Sequence, residues 1–148
     1  MVAARQGATV VSVDDNPVAV EATQLNAARN HLNITAFRSN LFTAIDGASR
    51  FDYILWNPPF FPREPRNDSE KAWYAGDGYG ALSEFARQAR SFVCLDGRII
   101  LILSSQCAVE EILRFFENNG FQIVETATHR SFFENFLIYE IRPRNTSQ

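Results

Sequence analysis

The sequence predicts an α/β protein built around a largely parallel sheet. Short apolar runs rich in β-branched residues alternate with helix-like segments along almost the whole chain, which is the pattern of strands joined by helical crossovers. The 148 residues amount to one domain's worth of chain, so we expect a single domain over residues 1–148. With 46% hydrophobic and 21% charged residues, the composition excludes a disordered or collagen-like chain.

The first part of the chain predicts a strand, a helix and a second strand. Residues 8–15 (ATVVSVDD) form an apolar run that ends in two carboxylates. Asn16 and Pro17 then provide an N-cap and a first-turn proline for a helix that extends to about Asn30. A short strand is expected at residues 35–39.

A strong strand is predicted at residues 51–56 (FDYILW), after a short helix or turn at residues 41–48. The sequence Asn57-Pro58-Pro59 ends this strand, because a proline pair can neither continue a hydrogen-bonded ladder nor begin a helix there.

Residues 61–80 form the one long irregular stretch, and a loop of this length in a compact domain is typically functional or mobile. Trp73 and Tyr74 within it allow two interpretations, a recognition platform or an anchor packed on the sheet, and we favour the anchor. Arg63 and Arg66 are interpreted either as phosphate contacts or as solvated surface.

The last third predicts a helix, a strand, a second helix and two further strands. These elements cover residues 81–93, 98–104, 108–118, 121–128 and 136–141. A turn at Asp96-Gly97 is expected before the first of these strands, and Asn119-Gly120 is a C-cap signal for the second helix. No helix separates the last two strands, so they pair antiparallel or diverge.

Polar residues follow two of the predicted strands at the edge where open α/β sheets bind ligands. Asp14 and Asp15 end the first strand, and an acidic residue at such a place commonly accepts hydrogen bonds from ribose hydroxyls. The alternative role for Asp14 is to cap the helix that begins after Asn16.

The segment Asn57-Pro58-Pro59-Phe60 is the strongest functional signal in the chain. A proline pair fixes the backbone and leaves carbonyls without a competing local N–H. These carbonyls and the Asn57 side-chain oxygen are suited to accept both hydrogens of a planar amino group, with Phe60 stacked on its flat face. The alternative is a plain proline stop after a strand.

The runs VVSVDDNPVAVEATQLNAARN, FRSNLF and FDYILWNPPFF resemble the S-adenosylmethionine-dependent methyltransferases with a Rossmann-like fold and an Asn-Pro-Pro-aromatic signature. The chain is most similar to the group that contains the release-factor glutamine methyltransferases and the small-domain RNA and DNA amino-methyltransferases. The resemblance implies a three-layer Rossmann-like sandwich, mostly parallel with an antiparallel last strand. It also implies methyl transfer from S-adenosylmethionine to an –NH₂ group.

The resemblance implies roles for individual residues as well. Asp14, with Asp15 beside it, would hold the ribose of the cofactor. Asn40 and Leu41 stand where the family usually has an acidic residue and a leucine near the adenine, so Asn40 departs from the pattern. The residues assigned to the acceptor amine are Asn57, Pro58, Pro59 and Phe60, and Asn57 is also expected to contact the cofactor.

The acceptor implied by the resemblance is a protein glutamine, for example in a translation release factor, or else an RNA or DNA base. The net charge of −3 and the loop after the signature favour the protein. The alternative to an enzyme is a protein that does not catalyse. It would be either a fragment or a binding module without cofactor affinity. A nicotinamide-dependent oxidoreductase is disfavoured by the signature.

The family's first strand and glycine-rich turn have no counterpart in residues 1–148, which begin with half a helix at residues 2–6 and Gly7. The sequence GDGYG at residues 76–80 does not replace that turn, because it follows the signature, and we interpret it as a substrate-side loop. We therefore expect a sheet truncated at its first strand, with weak or no cofactor binding and self-association through exposed sheet edges.

The remaining candidates for chemistry are few. His31 and His129 are far apart in sequence, so no metal site is expected, and Cys94 and Cys107 lack the spacing of a disulfide framework. No apolar run reaches the ~18 residues of a membrane span, and no apolar leader is visible. A cytoplasmic protein without a membrane partner is the expectation.

Overall fold

The computed structural model describes residues 1–67, 69–130 and 134–144, and the chain divides into two compact units, Met1–Asp46 and Gly47–Gln148. Among the described residues, no helix combines the length and the apolar character needed to cross a bilayer.

The first unit is a parallel strand–helix–strand. Its elements are α1 (Val2–Arg5), β1 (Val10–Asp14), α2 (Pro17–Arg29) and β2 (Ile34–Arg38). The start of α2 is as predicted, because the Asn16 side chain accepts from the backbone N–H of Val18 at 3.0 Å and Pro17 occupies the first turn. Asp14 is paired with Arg38 across the two strands, so their carboxyl ends lie at one edge.

The second unit contains a four-stranded sheet with the strand order β3-β4-β6-β5. Its elements are β3 (Phe51–Trp56), α3 (Gly80–Ala89), β4 (Val93–Ser104), α4 (Val109–Asn118), β5 (Phe121–Arg130) and β6 (Asn135–Pro143). β3 and β4 are parallel, whereas β6 runs antiparallel to both β4 and β5. With the parallel pair of the first unit, this confirms a mostly parallel α/β fold with an antiparallel last strand.

The predicted turn at Asp96-Gly97 is wrong, because β4 already begins at Val93 and passes through these residues. Phe51 pairs with Val93, but Tyr53 pairs with Arg98, so the register between β3 and β4 shifts at this point. The extra residues of β4 between Val93 and Arg98 form an irregularity within the strand. A Cβ at Gly97 would lie 2.8 Å from the Phe51 carbonyl oxygen, which explains the glycine at this close backbone approach.

The core of the second unit lies between the sheet and the two helices. Alternate residues of β4, namely Ile99, Leu101 and Leu103, are fully buried. Aromatic rings continue this core, with Trp56 stacked on Phe85 at a centroid distance of 4.1 Å. This packing fixes β3 and β4 side by side and thereby positions the residues that follow them.

We predict that Leu101→Ala lowers the free energy of unfolding of the second unit by about 2–5 kcal/mol, because it leaves a cavity in this core. Leu95→Ala on the same strand is the matched control, since Leu95 is 68% exposed, and its change should stay within about 0.5 kcal/mol. Urea denaturation followed by tryptophan fluorescence measures both. Equal losses for the two variants would contradict this account of the core.

Candidate functional site

The carboxyl ends of β1 and β2 bring Asp14 close to the segment that begins at Ser39. The Ser39 N–H donates to the Asp14 carbonyl oxygen at 3.1 Å. The Asp14 carboxylate accepts from the Asn16 N–H through Oδ1 at 2.8 Å, whereas the side chain that caps α2 is that of Asn16 itself. Its Oδ2 has no hydrogen-bond partner among the described residues, which leaves one carboxylate oxygen for a ligand.

Asp15 is placed at the same edge but already has a partner. Its carboxylate forms an ion pair with Arg38 at 3.1 Å, and the Arg38 Nε also donates to the Asp15 carbonyl oxygen at 2.8 Å. Both side chains are more than half exposed. The carboxylate of Asp15 is therefore less available to a ligand than that of Asp14.

Asn40 and Leu41 form a turn that a buried serine holds in shape. The Ser39 hydroxyl donates to the Leu41 carbonyl oxygen at 2.8 Å and accepts from the Ala44 N–H at 3.0 Å. Leu41 has a φ of 51°, a left-handed conformation that is uncommon for leucine and clusters at functional sites. The turn leaves Asn40 exposed beside the carboxyl end of β2. Sequence reasoning missed Ser39, a buried polar residue directly after a strand.

On the second unit, the signature segment follows β3 directly. Asn57 is exposed and its amide has no hydrogen-bond partner among the described residues, whereas Pro58 is buried. Phe60 is only 8% exposed, and its ring meets that of Phe61 edge-on at a centroid distance of 4.9 Å. Phe60 therefore packs into the protein, and little of its face is open for stacking on an acceptor.

The loop at residues 61–80 is more ordered than predicted. It contains a 3₁₀ turn at Glu70–Ala72, and the Phe61 N–H donates to the Trp73 carbonyl oxygen at 3.1 Å. Trp73 is 62% exposed, so the anchor interpretation is wrong for this residue. Tyr74 is half-buried instead, and its ring contacts Phe61 and Arg63 within the loop.

Arg63 of this loop is held inside the loop itself. Its guanidinium carbon lies 3.7 Å from the centroid of the Tyr74 ring, and an Nη2–Oε1 distance of 3.3 Å joins it to Glu70. Glu70 also accepts from the Arg66 N–H at 2.9 Å. This backbone hydrogen bond and the neighbouring guanidinium hold the pKa of Glu70 below its ordinary value.

The glycine-containing segment reaches the start of α4 through Tyr79. This residue is buried, has a left-handed φ of 54°, and its hydroxyl accepts from the Ala108 N–H at 3.0 Å. Burial raises the pKa of the Tyr79 hydroxyl. Sequence reasoning treated this segment as a run of glycine turns and missed the contact, which depends on a helix that begins about thirty residues later.

A second buried hydroxyl lies at the carboxyl end of β4. Ser104 is fully buried, donates to the Glu134 carboxylate at 2.6 Å and accepts from the Gln106 N–H at 3.1 Å. β4 neighbours β3, so this pair shares a sheet edge with Asn57. No local pattern in the sequence joins Ser104 to Glu134, since the two are thirty residues apart.

The titratable groups of the described ranges include no cluster of three or more His, Cys, Asp or Glu side chains able to hold a metal ion. Cys94 and Cys107 are separate free thiols. Burial raises the pKa of the Cys107 thiol to about 11, which keeps it protonated at neutral pH.

We predict that Tyr79→Phe lowers the free energy of unfolding by about 1–3 kcal/mol, because the Ala108 N–H loses its acceptor. The raised pKa of Tyr79 means that the unfolded state loses its proton first, so the wild type should lose stability as the pH rises above 10.0, and the variant should lose less. Tyr53→Phe, at a residue that is 59% exposed, is the control. A stability of Tyr79→Phe equal to that of the control would contradict this role.

Comparison with known proteins identifies the family. The methyltransferase small domain family matches residues 1–134. A candidate protein N5-glutamine methyltransferase of Methanocaldococcus jannaschii is 32% identical over 91% of this chain and 71% of its own length. The release factor glutamine methyltransferase of Haemophilus influenzae is 30% identical over 79% of this chain, which spans 42% of that enzyme.

Among solved structures, the 16S rRNA N2 G1207 methyltransferase of Thermus thermophilus, in complex with AdoMet and guanosine, has a TM-score of 0.69 and 22% identity. The match covers 95% of this chain and 33% of that protein. It shows a shared Rossmann-like methyltransferase fold. The chain therefore belongs to the methyltransferase small domain family, whose members are enzymes that use S-adenosylmethionine as their cofactor.

Proposed function

We propose that this protein transfers a methyl group from S-adenosylmethionine to the side-chain amide nitrogen of a glutamine in a protein. The observation that carries the proposal is Asn57, whose exposed amide at the carboxyl end of β3 has no hydrogen-bond partner within the described ranges and is followed by a rigid proline pair. This arrangement offers fixed acceptors to a planar –NH₂ group.

The acceptor geometry follows from the chemistry of the amide. The Asn57 side-chain oxygen and the Pro58 carbonyl oxygen would each accept a hydrogen bond from one N–H of the glutamine amide that receives the methyl group. S-adenosylmethionine, when bound, supplies an electrophilic methyl group on its sulfonium sulfur. Holding both N–H groups orients the nitrogen lone pair, so that the contribution of these residues is positioning and electrostatic stabilisation.

The cofactor residues proposed here lie on the first unit. The Oδ2 of Asp14, which has no partner in the part of the chain that the structure describes, suits ribose hydroxyls. The exposed amide of Asn40, with Leu41 beside it, suits an adenine amino group. The family match at residues 1–134 extends over both units, which supports treating them as one methyltransferase domain. A cytoplasmic location and self-association through sheet edges belong to the same proposal.

Protein glutamine is favoured over a nucleic-acid base for two reasons. The M. jannaschii relative, described as a candidate protein N5-glutamine methyltransferase, matches most of both chains. In addition, the net charge is −3, and Arg63 beside the signature is engaged with Glu70 rather than free for a phosphate. A translation release factor is the proposed substrate class, as in the H. influenzae relative's name.

The alternative acceptor is the exocyclic amino group of an RNA or DNA base, which is also planar and carries two N–H groups. The deciding experiment incubates the protein with labelled S-adenosylmethionine and, separately, with a release factor and with ribosomal RNA. Label in a glutaminyl peptide, located by mass spectrometry, supports the proposal. Label in RNA alone overturns it in favour of the alternative, and label in neither favours a module that does not catalyse.

We predict that Asn57→Ala lowers kcat on the order of 10²–10³-fold while the Kd for S-adenosylmethionine changes little, because the lost oxygen contacts the acceptor amide. Radiolabel transfer and calorimetric titration give the two quantities. Asn33→Ala, at another exposed asparagine, controls for general effects of the substitution. Wild-type turnover in Asn57→Ala would remove Asn57 from the acceptor site.

We predict that Asp14→Ala weakens S-adenosylmethionine binding by roughly 10–150-fold, the equivalent of about 1.5–3 kcal/mol for a hydrogen bond to a charged group. Asn16→Ala is a matched control, since it removes the cap contact to Val18 and retains the carboxylate. It should cost about 1 kcal/mol of stability and leave the affinity unchanged. If Asp14→Ala, like Asn16→Ala, lowers the stability and leaves the affinity for S-adenosylmethionine unchanged, Asp14 acts as part of the cap.

A further inference from the structure

The loop after the signature is closed by backbone hydrogen bonds at its base. Both backbone groups of Phe61 are engaged, because its N–H donates to Trp73 at 3.1 Å and its carbonyl accepts from the Ala75 N–H at 2.9 Å. A further hydrogen bond joins the two arms of the loop, because the Gly76 N–H donates to the Arg63 carbonyl oxygen at 3.1 Å. The residue that directly follows the signature is thus fixed by the returning arm of the loop.

The Arg63 side chain joins the same two arms a second time. Its guanidinium lies over the Tyr74 ring at 3.7 Å and forms the ion pair with Glu70, whose side chain is 25% exposed. Glu70 in turn accepts from the Arg66 backbone at 2.9 Å. Arg63 therefore contributes a backbone acceptor, a cation–π contact and an ion pair to one closure, which we name the loop brace (Arg63, Glu70 and Tyr74).

Contacts between rings continue from the loop brace to the signature. The Tyr74 and Phe61 rings lie 6.2 Å apart between centroids, and Phe61 meets Phe60 at 4.9 Å. Phe60 is 8% exposed, so its position depends on the side chains packed around it. Pro58 and Pro59 restrict φ within the signature, and the contacts of Phe61 restrict the residue that directly follows it.

We propose that Arg63 is a positioning residue for the acceptor-binding segment at residues 57–60, through the stacking of its guanidinium on Tyr74 and its ion pair with Glu70. This role rests on the function proposed above for that segment. Methyl transfer requires the carbonyl oxygens of residues 57–60 that bind the substrate amide to be positioned to a fraction of an ångström. A misplacement of about 1 Å can reduce a rate by about 10²-fold.

Arginine is specifically suited to this place. A planar guanidinium can stack on a ring and donate to a carboxylate at the same time, whereas a lysine ammonium is a point charge on a flexible stem. The ion pair is itself partly exposed, with 46% of the Arg63 side chain accessible, so it adds little to global stability. Loss of this ion pair should therefore change the geometry of the signature rather than the free energy of unfolding.

The first test measures amide hydrogen exchange by NMR in Arg63→Met. We expect the Phe61 and Ala75 amides to exchange about tenfold faster while the amides of β4 keep their protection. Arg87→Met is the matched control, because it breaks the exposed ion pair to Glu84 on α3 and leaves the loop intact. Unchanged exchange at Phe61, or an equal loss of protection throughout β4, would overturn the proposal.

The second test measures methyl transfer with whichever acceptor, glutaminyl protein or RNA, the wild type modifies. Arg63→Met should lower kcat by about tenfold with an unchanged Kd for S-adenosylmethionine. Tyr74→Phe should retain activity because the ring remains, whereas Tyr74→Leu should reproduce the loss. Unchanged kcat in Arg63→Met, or equal behaviour of the two Tyr74 variants, refutes the positioning role.

The two proposals can fail separately. Transfer to RNA by the wild type would overturn the glutamine assignment, and the effect of Arg63 would still be measured on that acceptor. The hydrogen-exchange result requires no acceptor at all. Normal transfer to glutamine by Arg63→Met would overturn the role of Arg63 alone.

Discussion

The geometry of the second unit depends on the burial of β4 between its two neighbouring strands. β4 pairs in parallel with β3 on one side and antiparallel with β6 on the other, and its alternate side chains Ile99, Leu101 and Leu103 are fully buried. A strand with both edges paired and one face fully packed cannot slip in register without exposing that face. The prolines end β3 at Trp56, which is paired with Leu101, so the register between the two strands sets where along the sheet Asn57 emerges.

Two buried serines stabilise the loops that follow strands in this protein. Ser39 holds the turn of Asn40 and Leu41 after β2, and Ser104 holds Gln106 and Glu134 after β4. In each case a hydroxyl both donates and accepts, which satisfies backbone groups that would otherwise lack partners where the ladder ends. Buried polar networks that are fully satisfied also make a local conformation specific.

The loop after the signature shows how an irregular segment gains internal contacts between its two arms. Its described residues form a hydrogen-bonded base, a 3₁₀ turn and the stacking of Arg63 on Tyr74. The exposed Trp73 is held on the same framework. A loop of this kind can present a recognition surface next to a reacting group at a low cost in conformational entropy when an acceptor binds.

The sequence alone determined the class of the fold, the position of β3, the capped start of α2 and the candidate residues after each strand. These features arise from local rules: the alternation of apolar runs, the geometry of proline and the preference of asparagine for N-caps. The resemblance to methyltransferases also rested on contiguous residues, and the family match confirmed it.

The tertiary structure decided whatever depended on residues far apart in the chain. The early start of β4 follows from its pairing with β3, and the closure of the loop after the signature follows from the hydrogen bonds of Phe61 to Trp73 and Ala75. Likewise, Tyr79 meets Ala108, and Ser104 meets Glu134, across about thirty residues. No local pattern encodes such contacts, because each exists only once the sheet and its helices have packed.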